Sequence, residues 1–338
     1  MPTILLTIDV EDWFQVENFK SWIPFSSWSS RDLRVEKNTH RLLDLFDTIE
    51  TAGRLGSDEA RKPEIGQAIM RLGQEAEKLE IDNNSQLPGF QVTKHSGKRC
   101  VRATFFVLGW IAERLPHLVR EIRNRGHEVA SHGYNHELCY QIPPNELKED
   151  LVKSKKLLED IIGEPIDGYR APSFSINDDI LKIIQDCGYL YDSSYNSFGL
   201  NARYGKVDLP KNHTDDAMVQ LSPNFYELPI SNLKFNNFQF PIGGGGYFRL
   251  IPLPFFKFGV RRIIAQKNNY LFYMHPWEID PGQPRVREAS RQYRFRHYIN
   301  LNKTHMKLTR LIQSFSQCRF ITCRKYIANI ISQTITVY

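Results

Sequence analysis

The sequence predicts an α/β fold, an irregular (β/α) barrel of about seven parallel strands with helices outside it. Three observations carry that expectation. From Thr3 onward a short apolar strand, a polar loop and an amphipathic helix recur in that order, the pattern of a parallel sheet covered by helices. The 338 residues, 41% of them hydrophobic, suffice for one barrel-sized core. The unusual polar residues Asp9, His132, Arg170, Asp192 and His275 fall at or just past the carboxyl ends of the strands, which a parallel barrel gathers on one rim.

The strand candidates are 4–8, 103–108, 128–130, 168–169, 190–191, 227–230, 270–274 and 320–322. Helical spacing connects them, as in Ile176, Ile180, Ile183, Ile184 and Cys187, which place apolar groups on one face. A helix over 41–51 leads into a polar, charged stretch at 54–99 that interrupts the rhythm. It reads as a surface insertion in a single domain spanning 1–338, with one helix of its own at 64–79. The carboxyl-terminal part, an extension from about 225, ends in a helix over 303–315, a last strand and a trailing helix.

Charge and cysteines narrow the function. The 44 basic residues nearly balance the 38 acidic ones, and the excess of 6 reads as spread along the chain, so nucleic acid is set aside as a partner. Five scattered cysteines without a C-x-x-C pair predict no disulfide framework. Met1-Pro2-Thr3 runs straight into a strand and no stretch reaches the roughly 18 apolar residues of a span, so the expectation is a cytoplasmic protein without a transmembrane segment. Aromatic and basic residues mix in 249–262; an outer barrel helix is the favoured reading there, with peripheral membrane contact second.

Four motifs carry chemistry. His132-Gly-Tyr-Asn-His136 places two imidazoles at i and i+4, which meet on one face if the segment turns helically and suit a divalent ion. From these residues alone, a metal pair and two surface histidines are equally open. Asp9-Val-Glu11-Asp12 collects three carboxylates after an apolar strand, which repel unless a cation or a shared proton offsets them. In Arg170-Ala-Pro172, proline stiffens the turn presenting an arginine that can hold a carboxylate in a bidentate pair. An apolar strand delivers His275 beside Trp277, an aromatic suited to stacking on a sugar ring. The run Gly243-Gly-Gly-Gly246 followed by Tyr247 lacks the features of a phosphate loop and is either a close backbone approach or a flexible loop.

Together, the aspartate motif, H-x-x-x-H, R-x-P and the late histidine resemble the polysaccharide deacetylase superfamily, the carbohydrate esterase family 4 enzymes, in identity, order and strand context. They span Asp9 to His275. The first motif, Thr-Ile-Asp-Val-Glu-Asp, departs from the common T-F-D-D-G. It is similar to the subgroup of the allantoinase-like proteins and the Helicobacter-type peptidoglycan deacetylase, some of which act without metal. The strings GGGGYFRLIP and HPWEIDPGQPR, with the stretch from Arg294 to Tyr298, resemble the deacetylases encoded at bacterial exopolysaccharide loci.

The resemblance implies a metal-dependent hydrolase removing N-acetyl or similar N-acyl groups from amino-sugar units of a polysaccharide. It makes Asp9 the base, His132 and His136 metal ligands, and Glu11 the carboxylate ligand with Asp12 as competitor. Arg170 would orient Asp9, His275 would protonate the departing amine, and Asp192 would orient His275. Pro172, Tyr247 and Trp277 are the candidate substrate contacts. The implied cofactor is a divalent metal, zinc first, and the implied partner a carbohydrate. Two other readings stay open: a metal-independent hydrolase of cyclic amides, and a non-catalytic carbohydrate-binding barrel.

Overall fold

The protein is described by a computed structural model over residues 1–51, 99–199, 203–209, 217–235 and 238–335. The expected insertion, with its helix at 64–79, lies outside the described residues except at its last position.

Strand β1 (Thr3–Val10) is buried along its whole length, because helices cover one face and the barrel interior the other. Helix α1 (Val35–Thr48) turns Leu42, Leu43 and Phe46 inward; it starts earlier than the expected 41–51 and stops where Ile49 becomes extended. Strands β2 (Glu50–Thr51) and β3 (Arg99–Cys100) then pair antiparallel, with Glu50 opposite Cys100, and bring the two ends of the insertion together. The chain continues through β4 (Ala103–Val107), α2 (Gly109–Arg114), α3 (Pro116–Asn124), β5 (Glu128–Ser131), α4 (Pro144–Ile162), β6 (Gly168–Tyr169), α5 (Asp178–Asp186) and β7 (Tyr191–Asp192). Its second part holds β8 (Val219–Ser222), β9 (Phe225–Glu227), the antiparallel pair β10 (Leu233–Phe235) and β11 (Phe238–Phe240), α6 (Gly245–Leu250), α7 (Leu253–Lys267) and β12 (Asn269–Met274). Helices α8 (Arg291–Tyr298) and α9 (Leu301–Ser314), strand β13 (Arg319–Phe320) and helix α10 (Cys323–Ile335) complete it.

Among the described residues the main sheet has nine strands in the order β12-β1-β4-β5-β6-β7-β9-β8, with β13 also on β1, curled into a half-barrel with helices around it. All its pairings are parallel except β8 with β9. Seven of the eight expected strands are present within two residues, the expected 227–230 overlaps β9 only at Glu227, and β8 adds a ninth. The short β10 and β11 were not foreseen, since their residues are largely exposed and show no buried alternation.

Alternation along β1 separates two cores. Ile4, Leu6, Ile8 and Val10 pack under the outer helices, whereas Leu5 joins Phe106, Ala130, Tyr191 and Leu271 inside the barrel. Helix α10 closes the amino-terminal mouth of that interior by inserting Cys323, Tyr326 and Ile327 into the same cluster. Its first backbone N–H groups donate to Thr104 Oγ1 at 2.9 Å and to Glu128 Oε2 at 3.0 Å, so a buried carboxyl sits at the positive end of the helix.

The expectation of evenly spread charge does not hold. Residues 228–338 carry 17 Lys and Arg against three acidic residues, while 1–227 carry 27 against 35. Among the described residues no helix is long and apolar enough to cross a membrane.

Candidate metal centre and its acid–base pair

The carboxyl rim of the sheet carries the site. Asp9 lies near the end of β1, and Glu11, two residues on, reaches the same side. The backbone beyond β5 then presents His132 and His136. This segment is not helical, as the i, i+4 spacing had suggested. It bends, with Gly133 (φ 73°) and His136 (φ 55°) both left-handed, and still sets the two imidazole centroids 5.4 Å apart. A left-handed backbone at a histidine costs energy that the surrounding contacts must offset, a pattern that concentrates at functional sites.

Glu11, His132 and His136 are all buried, and their ligand atoms lie within 4.8 Å of one another. His132 Nδ1 lies 2.7 Å from the Arg170 carbonyl oxygen, which leaves Nε2 as the ring's free nitrogen for the centre. Burial pushes the pKa of His132 down to about 4, so the ring is held as the neutral imidazole a cation requires. Glu11 Oε2 stands 2.9 Å from His136 Nε2, yet the contact is not aligned as a hydrogen bond, and that oxygen is buried without a hydrogen-bond partner. Two ligand atoms facing each other without sharing a proton is the arrangement a cation between them would satisfy. Burial raises the pKa of Glu11, but His136, His275 and His132 outweigh it and hold the group at about 2.

Asp12 is not a competitor for that place. Its Oδ1 accepts from the Trp13 N–H at 2.8 Å, and its Oδ2 from the N–H groups of Arg34 and Val35 at 2.6 and 2.8 Å, where it caps the start of α1. Burial raises its pKa to about 6 against those bonds. Arg34 in turn holds Asp280 through two bonds of 2.6 and 3.0 Å, tying the Glu11 loop to the turn that follows His275.

Asp9 and Arg170 meet as expected, but through one bond and not a bidentate fork. Arg170 Nη1 donates to Asp9 Oδ1 and to Thr7 Oγ1, both at 2.7 Å, while Nε and Nη2 bind the carbonyl and hydroxyl of Ser193 at 2.8 Å. The guanidinium is fully buried over the Phe106 ring, which removes competing water and fixes the orientation of the carboxylate.

His275 Nε2 lies 3.0 Å from Glu11 Oε1 and 3.9 Å from Asp9 Oδ2. With 19% of its side chain exposed against 3% for Asp9 and Glu11, it is the member of the group most open to an incoming molecule. The residue that orients it is Glu278, which sequence reasoning missed. Glu278 Oε1 lies 2.8 Å from His275 Nδ1 and accepts from the His275 N–H at 3.1 Å, while its Oε2 accepts from Arg249 Nε at 2.7 Å. Burial lowers the pKa of His275, but Glu11, Glu278 and Asp9 together raise it to about 9. The spacing His-Pro-Trp-Glu, a carboxylate at i+3 from the histidine, was the available signal.

Asp192, expected in that orienting role, lies elsewhere. It accepts from the Ser194 N–H and hydroxyl at 2.8 Å and stands opposite Glu227 in the β7–β9 register. Burial raises the pKa of both carboxyls, Glu227 well above its usual range, so this pair shares a proton beneath the site. Trp277 also differs from expectation. It is 6% exposed and stacked between His275 (centroids 5.2 Å) and His297 (4.1 Å), so its faces are taken and it backs the His275 ring. Pro172 is buried in the 3-10 turn Pro172–Phe174, and Tyr247 is half-buried, edge-on to Phe198 at 5.6 Å.

The glycine run also has a place. A Cβ on Gly244 would meet the Tyr273 ring at 2.6 Å, and one on Gly245 would meet the Glu278 carboxylate at 2.2 Å. The run lets backbone close against β12 and against the group that orients His275.

Parts of the chain are similar to known proteins. Residues 91–191 match the family model "Polysaccharide deacetylase", and residues 193–328 match a "Domain of unknown function (DUF3473)". Over 140 residues the chain is 32% identical to the peptidoglycan deacetylase-like protein FGM2 of Gibberella zeae, covering 40% of this chain and 41% of that protein. Over 87 residues it is 34% identical to a peptidoglycan-N-acetylglucosamine deacetylase of Bacillus cereus, covering 26% and 40%. The matches thus span about two fifths of the length of these curated relatives. Two solved structures share the fold. A Mycobacterium smegmatis protein provisionally named a polysaccharide deacetylase has a TM-score of 0.52 at 16% identity, covering 98% of this chain and 90% of that one. PuuE allantoinase has 0.51 at 13%, covering 97% and 89%. Residues 91–191 thus match the polysaccharide deacetylase model, parts of the chain are similar to named deacetylases, and the two solved structures share its barrel.

Proposed function

We propose that the chain is a metal-dependent hydrolase that removes N-acetyl or similar N-acyl groups from amino-sugar units of a polysaccharide or its precursor. The observation that carries this reading is the meeting of three buried donors, Glu11, His132 and His136, with Asp9 and His275 at their edge. A carboxylate and two imidazoles with room for further ligands suit zinc in a catalytic setting. A divalent ion held there would polarise the amide carbonyl and acidify water.

The chain's own residues supply the proton movements. Asp9, held by Arg170, accepts the proton of the attacking water. His275, oriented by Glu278, gives its proton to the nitrogen as the C–N bond breaks, so a free acid and a primary amine leave. The named relatives make N-acetylglucosamine units the first substrates to examine. The glycine run and the HPWEIDPGQPR string favour a bacterial exopolysaccharide as the polymer.

Amine release from N-acetylated oligosaccharides should appear with metal-loaded protein, vanish on chelation and return with zinc. His132→Ala should lose both metal and activity. Undiminished hydrolysis of a cyclic ureide after chelation, with no amine release from sugars, would replace this reading with the metal-independent one.

A further inference from the structure

Four arginines, Arg285, Arg287, Arg291 and Arg294, line one cleft of about 620 Å³ together with Phe295 and Tyr298. Arg291 and Arg294 are i and i+3 on α8 and so share a face. Arg285 lies over the Tyr298 ring at 4.2 Å. Among the described residues none of the four meets a carboxylate within ion-pair distance, and Phe295, 56% exposed, stands between them without burying its ring. Four like charges around one concavity repel one another, and a bound polyanion removes that cost. The cleft's helix is linked to the site through buried rings: His297, next to Tyr298 on α8, stacks on Trp277, which stacks on His275.

We propose that this cleft holds an acidic stretch of the polysaccharide, so that the substrate is an anionic polymer bearing carboxylate or phosphate groups on the sugars flanking the N-acetylated unit. Guanidinium forks match both groups bidentately, and the exposed ring of Phe295 offers a face to the sugar rings between them. Four guanidinium groups around one cleft suit an anionic strand continuing from the reacting unit; a lipid surface would favour a larger apolar face beside the charges. The inference rests on the deacetylase reading and deepens it.

The test compares the full chain, metal-loaded, on an alternating N-acetylglucosamine–glucuronate oligosaccharide and on a neutral N-acetylglucosamine oligomer of equal length. The KM for the acidic oligomer should be lower by about tenfold or more and should rise with salt. Arg291→Gln with Arg294→Gln should raise that KM by about tenfold, with kcat unchanged and the neutral oligomer unaffected. Arg285→Gln with Arg287→Gln gives a second pair should the first fail to fold.

Equal KM values for the two oligomers in the wild type, with both deacetylated, would overturn the cleft and leave the deacetylase reading standing. If neither oligomer is turned over, calorimetric binding decides. Acidic-oligomer binding lost in the double variant would keep the cleft while the activity reading fails. Tighter arginine-dependent binding of anionic phospholipid vesicles, or of duplex DNA, than of the acidic oligomer would also overturn the proposal and assign the cleft to that polyanion.

Discussion

Asp9 and His275 lie across a 3.9 Å gap, and their separate anchors make their roles separable. Asp9→Asn keeps the shape and removes the proton acceptor, while His275→Gln removes the donor. Each should lower kcat by about 10²–10⁴-fold with metal content intact, measured by amine release and metal analysis. Loss of metal in either protein would show that it is a ligand instead. Glu278 can be tested through its effect on another residue. Its carboxylate helps raise the pKa of His275 to about 9, so Glu278→Gln should move the basic limb of the kcat/KM profile to lower pH. A substitution that only loosened the fold would lower the plateau without moving the limb. Among the motif residues, the pairing of Asp9 with Arg170 and the convergence of His132 with His136 were legible from strand ends. The choice of Glu11 over Asp12 was also legible in principle, since residues two apart share a face and the third falls on the other side. The orientation of His275 was not, because Glu278 acts only once Arg249 and Gly245 have closed around it from another part of the chain.

The β2–β3 pair makes a specific claim about the segment it brackets. Because Glu50 already faces Cys100, joining the chain between them with a short linker in place of about residues 57–96 demands little new ordering. Closure entropy grows only by about 0.6 kcal/mol per doubling of loop length, so the shortened protein should unfold at a denaturant concentration close to that of the full chain and keep most of its activity. Loss of soluble protein would show the segment to be structural. Helix α10 makes the opposite claim. Ile327 is 1% exposed inside the barrel mouth, so Ile327→Ala should cost about 2–4 kcal/mol in chemical unfolding. The parallel strands were legible because each is a short apolar run buried on both faces. The plugging role of α10 was not, since its apolar residues satisfy an outer-helix pattern as well as an inner one, and only the tertiary fold decides which face is filled.

For the whole molecule, buried groups pull the stability of the metal-free protein in opposed directions with pH. Asp12, raised to about 6, loses its contribution as pH climbs above 3.8, and four other groups add their own dependence. Burial holds the pKa of His132 at about 4, and burial with Arg102 and Arg125 holds His127 at about 3. Both bind protons more readily unfolded, so their contribution is complete above about 6.5 and is lost as pH falls through 4 and 3, at about 1.4 kcal/mol per pH unit for each. Glu11, lowered to about 2, contributes above 4.5 and loses its share below that. His275 runs the other way: raised to about 9, it contributes fully below 6.5 and is lost as pH rises through 9. His127→Gln should therefore flatten the acid side of the melting-temperature profile of chelated protein. Added zinc should reduce the alkaline loss, because a cation on Glu11 weakens its hold on the His275 proton. Time enters through β1. That strand, which leads into Glu11, pairs with β12 on one side and with β4, preceded at its first residues by β13, on the other. At a synthesis rate of ~5–20 residues per second, the ribosome needs on the order of ten seconds or more between making β4 and making β12. Throughout that interval the strand bearing Asp9 has an open edge, and the nascent protein carries Asp9 and Glu11 before His275 has been made to face them.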